Sequence, residues 1–390
     1  MSTAATDTLT ATAYAALRAE RGDVYFDDDL GAWLILGYTP ARQVLGSDGW
    51  SSNPSAANAA LATALAEAGV DTEMFPQLMI FADPPEHTRL RGAVRSSFTP
   101  GAVGRLRERI DAIADAAVSP LPTGRPFDLL AEVARPFPLA VISELLDIGT
   151  DGAELLWTET PRLVRLLDFT LEPESVADSA AAFAALAFYL LPLVVDRRRH
   201  PGGDLLSQIA ADPNIAPDEV VVTAVLLAVA GHETTANLVT NGALSLLRHP
   251  DQLGRLMAQP ALMERAVTEV LRLDGPVQIV ARTATVDHRL EPHLVRTGDQ
   301  VIVVIAAANR DPAVYTEPDR FDIDRGETAA PLAFGFGRHH CLGAHLARAE
   351  TEALLSRLLP RRPRLVADEV RWSPNPTIRG VEALPVQLDA

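Results

Sequence analysis

The sequence predicts a mainly α-helical protein with a small β region, folded as one domain over residues 1–390. Long segments carry apolar residues at three- and four-residue intervals with Arg and Glu between them, which is the period of an amphipathic helix. Strand-like runs are few and short. Breaks rich in proline and glycine are too short to be flexible interdomain linkers. Residues 1–20 are expected to form a flexible N-terminal extension of this domain.

The individual elements follow from the same patterns. Helical periodicity is clearest in three segments, Gly101–Val118, Ala261–Leu273 and Leu342–Leu359. Strands are predicted as a hairpin of Val24–Phe26 with Trp33–Leu36, and as a further strand at Val301–Ile305. The longest apolar stretch, Ala180–Val195, is shorter than the roughly 20 residues that span a bilayer. We therefore expect it to be a buried helix and expect no membrane span.

Composition and charge exclude several classes of protein. The chain has 390 residues, of which 48% are hydrophobic, so it can bury a substantial core and is not a disordered chain. Its formal net charge of −17 argues against a general nucleic-acid binder. The first residues contain neither a basic leader nor an apolar core, so we expect a cytoplasmic protein.

A long apolar segment, Asp218–Leu247, is interrupted by the polar block Gly231–Thr235. As one helix it would be about 45 Å long. A polar block in the middle of a buried helix is costly unless something there uses it. Two explanations stay open: local unwinding around a ligand, or a kinked structural helix in which Glu and Thr side chains bond to each other.

The only cysteine of the chain, Cys341, lies in the glycine-rich stretch Phe334–Gly343, directly before a helical pattern. A single cysteine excludes an intramolecular disulfide and an iron–sulfur cluster held by this chain alone. The positive end of the helix and the neighbouring Arg and His residues favour a thiolate. The glycines let the backbone approach a flat partner closely. The residues alone leave four interpretations open: a Cys-His hydrolase, a zinc site with His339, His340 and His345, a haem ligand, or an inert structural cysteine.

The stretch Phe334–Gly343 matches every fixed position of the pattern Phe-Gly-x-Gly-x-His-x-Cys-x-Gly and so resembles the haem loop of the cytochrome P-450 family. Further similarity to this family lies, in the family's order, in Asp83–Arg91, Ala230–Thr235 and Glu269–Arg272. The resemblance covers most of the chain. It implies the triangular, mainly α cytochrome P-450 fold with a long central helix, heme b (iron protoporphyrin IX) as cofactor and O2 as co-substrate.

The resemblance also implies roles for individual residues around the haem. Cys341 corresponds to the thiolate ligand of the iron. The other cofactor-binding positions include propionate partners, and buried carboxylates of this kind require cations or hydrogen-bond donors. The whole expected set besides the thiolate is His87, Arg91, Arg282, Phe334, Gly335, His339 and Gly343.

Three further groups of residues correspond to positions that have a role in the family. Glu233 and Thr234 resemble its acid–alcohol pair, in which the hydroxyl meets dioxygen and the carboxylate relays protons. Glu269 and Arg272 resemble a structural ion pair, and whether Arg320 or Arg325 is its third member stays open. The expected substrate contacts are Ala230, Gly231, Val277, Gln278 and Ile378, with Gln278 as a polar anchor.

By this resemblance the chain is a bacterial monooxygenase of secondary metabolism. We expect it to hydroxylate a small, largely apolar or aromatic molecule with electrons from a separate ferredoxin and reductase. A basic docking surface for the ferredoxin is expected at Arg89, Arg95, Arg338, His340 and Arg348. The alternatives are oxidative coupling or demethylation by the same machinery, and a haem-binding sensor without turnover.

Overall fold

The computed structural model describes residues 11–54, 77–167, 173–326, 329–367 and 369–389. Most of these residues are helical, which confirms the predicted fold class. In chain order the helices are α1 (Ala11–Arg21), α2 (Tyr38–Gly46), α3 (Glu86–Val94), α4 (Pro100–Val118), α5 (Pro136–Leu146), α6 (Gly149–Leu163), α7 (Pro173–Arg199), α8 (Leu205–Ala210), α9 (Pro217–Arg248), α10 (Pro250–Ala258), α11 (Met263–Asp274), α12 (Ile305–Ala308) and α13 (Ala344–Leu358). The three segments with the clearest helical periodicity correspond to α4, α11 and α13.

Short strands supply the small β region. They are β1 (Val24–Asp27), β2 (Ala32–Ile35), β3 (Trp50–Ser51), β4 (Pro126–Asp128), β5 (Ile279–Ala284), β6 (His288–Leu290), β7 (His293–Val295), β8 (Gln300–Val304), β9 (Arg364–Leu365) and β10 (Pro385–Gln387). In the described part of the chain they form three sheets, with strand orders β1-β2-β8-β5-β3, β4-β10-β9 and β6-β7. The predicted hairpin is confirmed, because β1 and β2 pair antiparallel with Phe26 opposite Trp33. The strand predicted at Val301–Ile305 is confirmed as β8.

The chain divides into two compact units, which we describe separately. The sheet unit comprises Met1–Trp50, Ala114–Ala134 and Thr234–Ala390, and the helical unit comprises Ser51–Ile113 and Arg135–Glu233. The boundary between Glu233 and Thr234 falls within α9, so this helix contributes residues to both units. A single domain over 1–390 stays a prediction.

The core of the sheet unit is built on both faces of β8. Val301 and Val303 pack into one apolar cluster, and Ile302 and Val304 pack into another. Because successive side chains of a strand point to opposite faces, a strand covered on both sides is apolar at every position. Each such buried Val or Ile side chain stabilises the fold by about 1.5–3 kcal/mol.

The expected flexible extension over residues 1–20 is wrong from Ala11 onward. These residues form α1, whose Tyr14 side chain is buried in an apolar cluster of the sheet unit. Arg18 fixes the helix further by donating a hydrogen bond to the carbonyl oxygen of Ala307 at 2.8 Å. Residues 1–10 lie outside the described residues.

The apolar stretch at 180–195 is helical as predicted, but the expectation that it is buried is wrong for its outer face. In α7 one stripe of residues, including Leu186, Leu190 and Val194, is buried, whereas Phe188 is 86% exposed. By length and composition α7 and α9 are each apolar enough to cross a membrane. The most apolar window of α9 is 61% buried, as in the core helix of a soluble protein, and that of α7 is 28% buried.

The polar block of the long segment does not break the helix. Helix α9 runs without interruption through Gly231–Thr235, so the explanation by local unwinding is wrong. Its 32 residues give a length of about 48 Å at 1.5 Å per residue. The polar side chains of the block are therefore presented at fixed helical spacing.

Candidate functional site

The loop that carries Cys341 is held in shape by its own backbone. The N–H of Cys341 donates to the carbonyl oxygen of Phe334 at 2.8 Å. Gly335 and Gly337 have φ angles of 70° and 72°, in the left-handed region that favours glycine. The Cys341 side chain is exposed, and Gly343 directly precedes α13. The loop thus presents a thiol near a helix N-terminus, where unpaired N–H groups stabilise a thiolate.

Contacts with α2 fix the loop within the sheet unit. A Cβ atom at Gly337 would lie 2.4 Å from the carbonyl oxygen of Leu45, so only glycine allows this close approach. The guanidinium of Arg42 lies 4.2 Å from the centre of the Phe336 ring. Arg338 forms an ion pair with Asp48. The thiol is therefore carried on a segment that contacts with α2 and Asp48 restrain.

The donors at this loop fit a haem iron and do not fit a zinc ion. A haem iron needs only one protein ligand of this kind, and an exposed thiol near a helix N-terminus would supply it. A zinc site needs three or four ligands. Among the residues that the structure describes, no group of three or more His, Cys, Asp and Glu side chains is arranged to hold a metal ion. The four-ligand zinc site considered for Cys341 is therefore not formed.

The expected propionate partners lie in both units. In the helical unit, His87 and Arg91 are one turn apart on α3, and His87 is 3% exposed. In the sheet unit, Arg282 lies on β5, and His339 lies in the short helical turn before Cys341. Burial of a histidine and of part of an arginine is expected where they meet a buried anion. Their role toward a haem stays a prediction.

The expected substrate contacts of the sheet unit form one small cluster. Val277 and Ile378 are joined by an isolated β-bridge, and the N–H of Gln278 donates to the carbonyl oxygen of Thr377 at 2.9 Å. The side-chain amide of Gln278 donates to the carbonyl oxygen of Gly275 at 2.7 Å. This bond fixes the orientation of the Gln278 amide and occupies one of its two N–H donors, while Oε1 can act as an acceptor.

The acid and alcohol of α9 lie on either side of the boundary between the units. In the helical unit, Glu233 forms an ion pair with Arg135, whose Nη2 lies 3.8 Å from Oε1. No atom of the residues that the structure describes lies within 4 Å of a Cβ atom added at Gly231, so these residues leave space beside the helix there. In the sheet unit, Thr234 follows directly on the same helix. Consecutive residues of a helix point about 100° apart, so the carboxylate and the hydroxyl are neighbours with different directions.

The structural ion pair has Arg325 as its third member. Arg272 donates to both carboxylate oxygens of Glu269 at 2.8 Å, and both side chains are almost fully buried. Arg325 Nε lies 3.1 Å from Glu269 Oε1. Arg320 instead pairs with the exposed Glu317. The alternative that the sequence left open is settled by these contacts.

Three residues of the expected basic docking surface are engaged within their own units. Arg89 forms an ion pair with Glu219 in the helical unit. Arg348 is half-buried and donates to the Thr268 hydroxyl at 2.8 Å, and Arg338 pairs with Asp48 as described. Arg95 and His340 are exposed. The positive charge that the expected docking surface can present is therefore smaller than the sequence suggested, because paired or buried arginines attract a partner less strongly.

Sequence reasoning missed a buried carboxyl in α13. Glu350 is 3% exposed, and its Oε2 has no hydrogen-bond partner among the residues that the structure describes. Burial raises the pKa of Glu350 well above the ordinary value of a glutamate, because the charged form is penalised away from water. Helical periodicity gave a weak signal for this burial, because Glu350 shares the apolar face of α13 with Leu346 and Leu354.

The Glu350→Gln variant is expected to be more stable than the wild type by about 1–2 kcal/mol at pH 7 to 8. As pH rises above the ordinary pKa of glutamate, the unfolded chain loses a proton that the folded chain keeps, so the native state loses relative stability. Below that pH both states are protonated, and the difference is expected to shrink. Urea unfolding at several pH values measures it. Glu352→Gln is the control, and an equal, pH-independent effect of both variants would contradict the prediction.

Comparisons with known proteins identify a single family. Residues 204–363 match the family model described as Cytochrome P-450. The chain is 39% identical over 395 residues to the cytochrome P-450 monooxygenase PikC of Streptomyces venezuelae, covering 96% of this chain and 90% of that protein. It is 36% identical over 388 residues to the vitamin D(3) 25-hydroxylase of Pseudonocardia autotrophica, covering 96% and 93%. The solved structure of CalO2 superposes with a TM-score of 0.88 at 31% identity, covering 97% of this chain and 95% of that chain.

Proposed function

The chain belongs to the cytochrome P-450 family and is a monooxygenase of it, and we propose that it hydroxylates a small, largely apolar molecule of secondary metabolism. The observation that carries this proposal is the exposed thiol of Cys341 in a glycine-shaped loop at a helix N-terminus. That arrangement stabilises a thiolate without burying the sulfur among protein atoms. Such a thiolate would be the one protein ligand that a haem iron of this kind requires.

We assign the residues of the haem site as the resemblance implies. Cys341 ligates the iron, and Phe334, Gly335 and Gly343 shape the loop around it. The propionate partners are His87, Arg91, Arg282 and His339. When bound, heme b supplies the iron at which dioxygen is activated. The chain itself binds and orients this group, and it handles the protons that the reaction consumes.

The proton-handling groups in this proposal are two consecutive side chains of α9. The Thr234 hydroxyl both donates and accepts hydrogen bonds, so it can pass a proton at Oγ1. The Glu233 carboxylate accepts protons from the solvent side, because its side chain is 18% exposed. A carboxylate without the hydroxyl would not reach the reacting atoms, and a hydroxyl without the carboxylate would have no proton source.

The residues assigned as substrate contacts favour an apolar substrate. Ala230, Val277 and Ile378 are aliphatic, and among the described residues no atom lies within 4 Å of a Cβ added at Gly231. Oε1 of Gln278 is the acceptor available for one polar group of the substrate. The relatives named as PikC and as a vitamin D(3) 25-hydroxylase belong to the same family. We propose that electrons come from a separate ferredoxin and reductase, and that the protein is cytoplasmic.

A ferric spin-state screen followed by turnover tests this proposal. Purified protein is titrated with a set of apolar compounds that includes vitamin D3, and compounds that shift the spin state are incubated with a surrogate ferredoxin, a reductase and isotopically labelled dioxygen. A product that contains one labelled oxygen atom supports hydroxylation. Ligands that shift the spin state but are never oxidised would instead support a haem-binding sensor.

The Thr234→Ala variant is expected to bind haem and ligands as the wild type does, while losing roughly tenfold in product formed per electron consumed. Without the hydroxyl, protons arrive less often, and the electrons leave as hydrogen peroxide. Measuring peroxide against NADPH consumption gives the ratio. Thr235→Ala is the matched control, because Thr235 is the next hydroxyl of α9 and is buried. Unchanged coupling in Thr234→Ala would place the proton route elsewhere.

A further inference from the structure

We propose that Arg135 is a positioning residue for the proton-relay carboxylate of Glu233, which it orients by its guanidinium while its own carbonyl oxygen fixes the adjacent His232. Nothing in the sequence singled out Arg135, which lies 97 residues before His232. The inference rests on the proposed function, because orienting Glu233 matters only where Glu233 relays protons. All three residues belong to the helical unit.

Arg135 holds two consecutive residues of α9 by two different groups. Its Nη2 lies 3.8 Å from Glu233 Oε1, and its carbonyl oxygen lies 2.9 Å from His232 Nε2. It stands between the π-helical turn Leu130–Ala134 and helix α5, which begins at Pro136. Irregular helical turns of this kind aim side chains that a regular helix would place elsewhere. The backbone here thus directs both the carbonyl and the guanidinium of one residue to α9.

The imidazole of His232 has a defined protonation state. A carbonyl oxygen only accepts hydrogen bonds, so Nε2 must carry the proton that it donates to Arg135. Burial lowers the pKa of His232, so the ring is neutral at pH 7. Its Nδ1 is therefore an unprotonated acceptor, and this buried atom has no hydrogen-bond partner within the described part of the chain. The one N–H of the neutral His232 ring is therefore engaged by the Arg135 carbonyl oxygen and is not directed to Glu233.

The two side chains of the ion pair differ in solvent exposure, and this difference is consistent with solvent reaching the Glu233 carboxylate from one side. The Arg135 side chain is 41% exposed, whereas that of Glu233 is 18% exposed. At 3.8 Å the pair restrains the carboxylate electrostatically without a direct hydrogen bond, so water can enter between the two groups. Partly exposed pairs of this kind contribute little to stability. Orientation of the carboxylate is therefore a better explanation of the contact than stabilisation of the fold.

Three variants separate positioning from structure. Arg135→Gln removes the charge, Arg135→Lys keeps it, and Arg109→Gln breaks a matched, exposed ion pair with Glu144 elsewhere in the helical unit. Substrate-free NADPH oxidation is measured with a surrogate ferredoxin and reductase, and the share of electrons that leaves as hydrogen peroxide is recorded. We expect Arg135→Gln to raise the peroxide share at least about twofold. The peroxide share of Arg135→Lys is expected to stay close to that of the wild type, and that of Arg109→Gln is expected to equal it.

A second measurement does not depend on turnover. The unfolding of Arg135→Gln, Glu233→Gln and the double variant in urea forms a double-mutant cycle. We expect the two substitutions to be coupled by about two- to fivefold in the unfolding equilibrium constant. Additive substitutions, or an Arg135→Lys variant that releases as much peroxide as Arg135→Gln, would overturn the proposal. Failure of the proposed function is recognised separately, because a wild type without a thiolate-ligated haem would leave the cycle intact.

Discussion

Replacing Glu269 by Ala is expected to destabilise the fold by about 3–5 kcal/mol, the largest effect on stability that the structure predicts. Glu269 is 4% exposed and accepts hydrogen bonds from Arg272 and Arg325. Its Oε1 also accepts from the backbone N–H of Asp322 at 3.0 Å. Removing the carboxylate leaves the Arg272 guanidinium buried, charged and without its counter-ion.

Urea unfolding measures this effect, and the chain contains a matched control. Glu317 pairs with Arg320 three residues away, as Glu269 pairs with Arg272, but the Glu317 side chain is 64% exposed. Glu317→Ala is expected to cost less than about 1 kcal/mol, because water replaces an exposed partner. Equal losses of stability in the two variants would show that burial does not determine how much the Glu269 ion pairs contribute to the free energy of unfolding.

Replacing Cys341 by Ser is expected to abolish thiolate ligation and at least most of the bound haem. A hydroxyl is far less acidic than a thiol and is a harder donor, so it does not supply the anionic ligand at neutral pH. The loop is expected to keep its backbone conformation, because serine is close to cysteine in size and the φ angles of Gly335 and Gly337 do not depend on the sulfur. The loss is therefore attributable to the ligand atom.

Haem content per chain and the visible spectrum of the reduced carbon monoxide complex measure this loss. His340→Gln is the matched control, since His340 is the exposed neighbour of Cys341 in the same loop. The control is expected to keep the haem and its spectrum. A Cys341→Ser variant with an unaltered spectrum would mean that another atom ligates the iron.

Local patterns predicted the helices and the thiol loop well because both depend on nearby residues. Helix periodicity located α4, α11 and α13, and two glycines with positive φ account for the loop before Cys341. The continuity of α9 through its polar block was not predictable in the same way. It depends on how the helix is packed and not on the intrinsic preferences of Gly231 and its neighbours.

Contacts between distant segments are what the sequence did not reveal. Arg320 and Arg325 were equivalent candidates by spacing, and only the fold brings Arg325 to Glu269. The outer face of α7 is apolar although it is exposed, so composition alone predicted burial there. Arg135 carried no local signal, because its partners follow it by about a hundred residues. Such pairings become visible only when tertiary contacts are known.

The central claim, that Cys341 ligates a haem iron, is tested most directly by titrating the purified protein with haem and then reducing it under carbon monoxide. The account predicts that one haem binds per chain and that the complex shows the strongly red-shifted Soret band of thiolate ligation. A protein that stays colourless, or a complex whose Soret band matches a haem held by histidine, would contradict it.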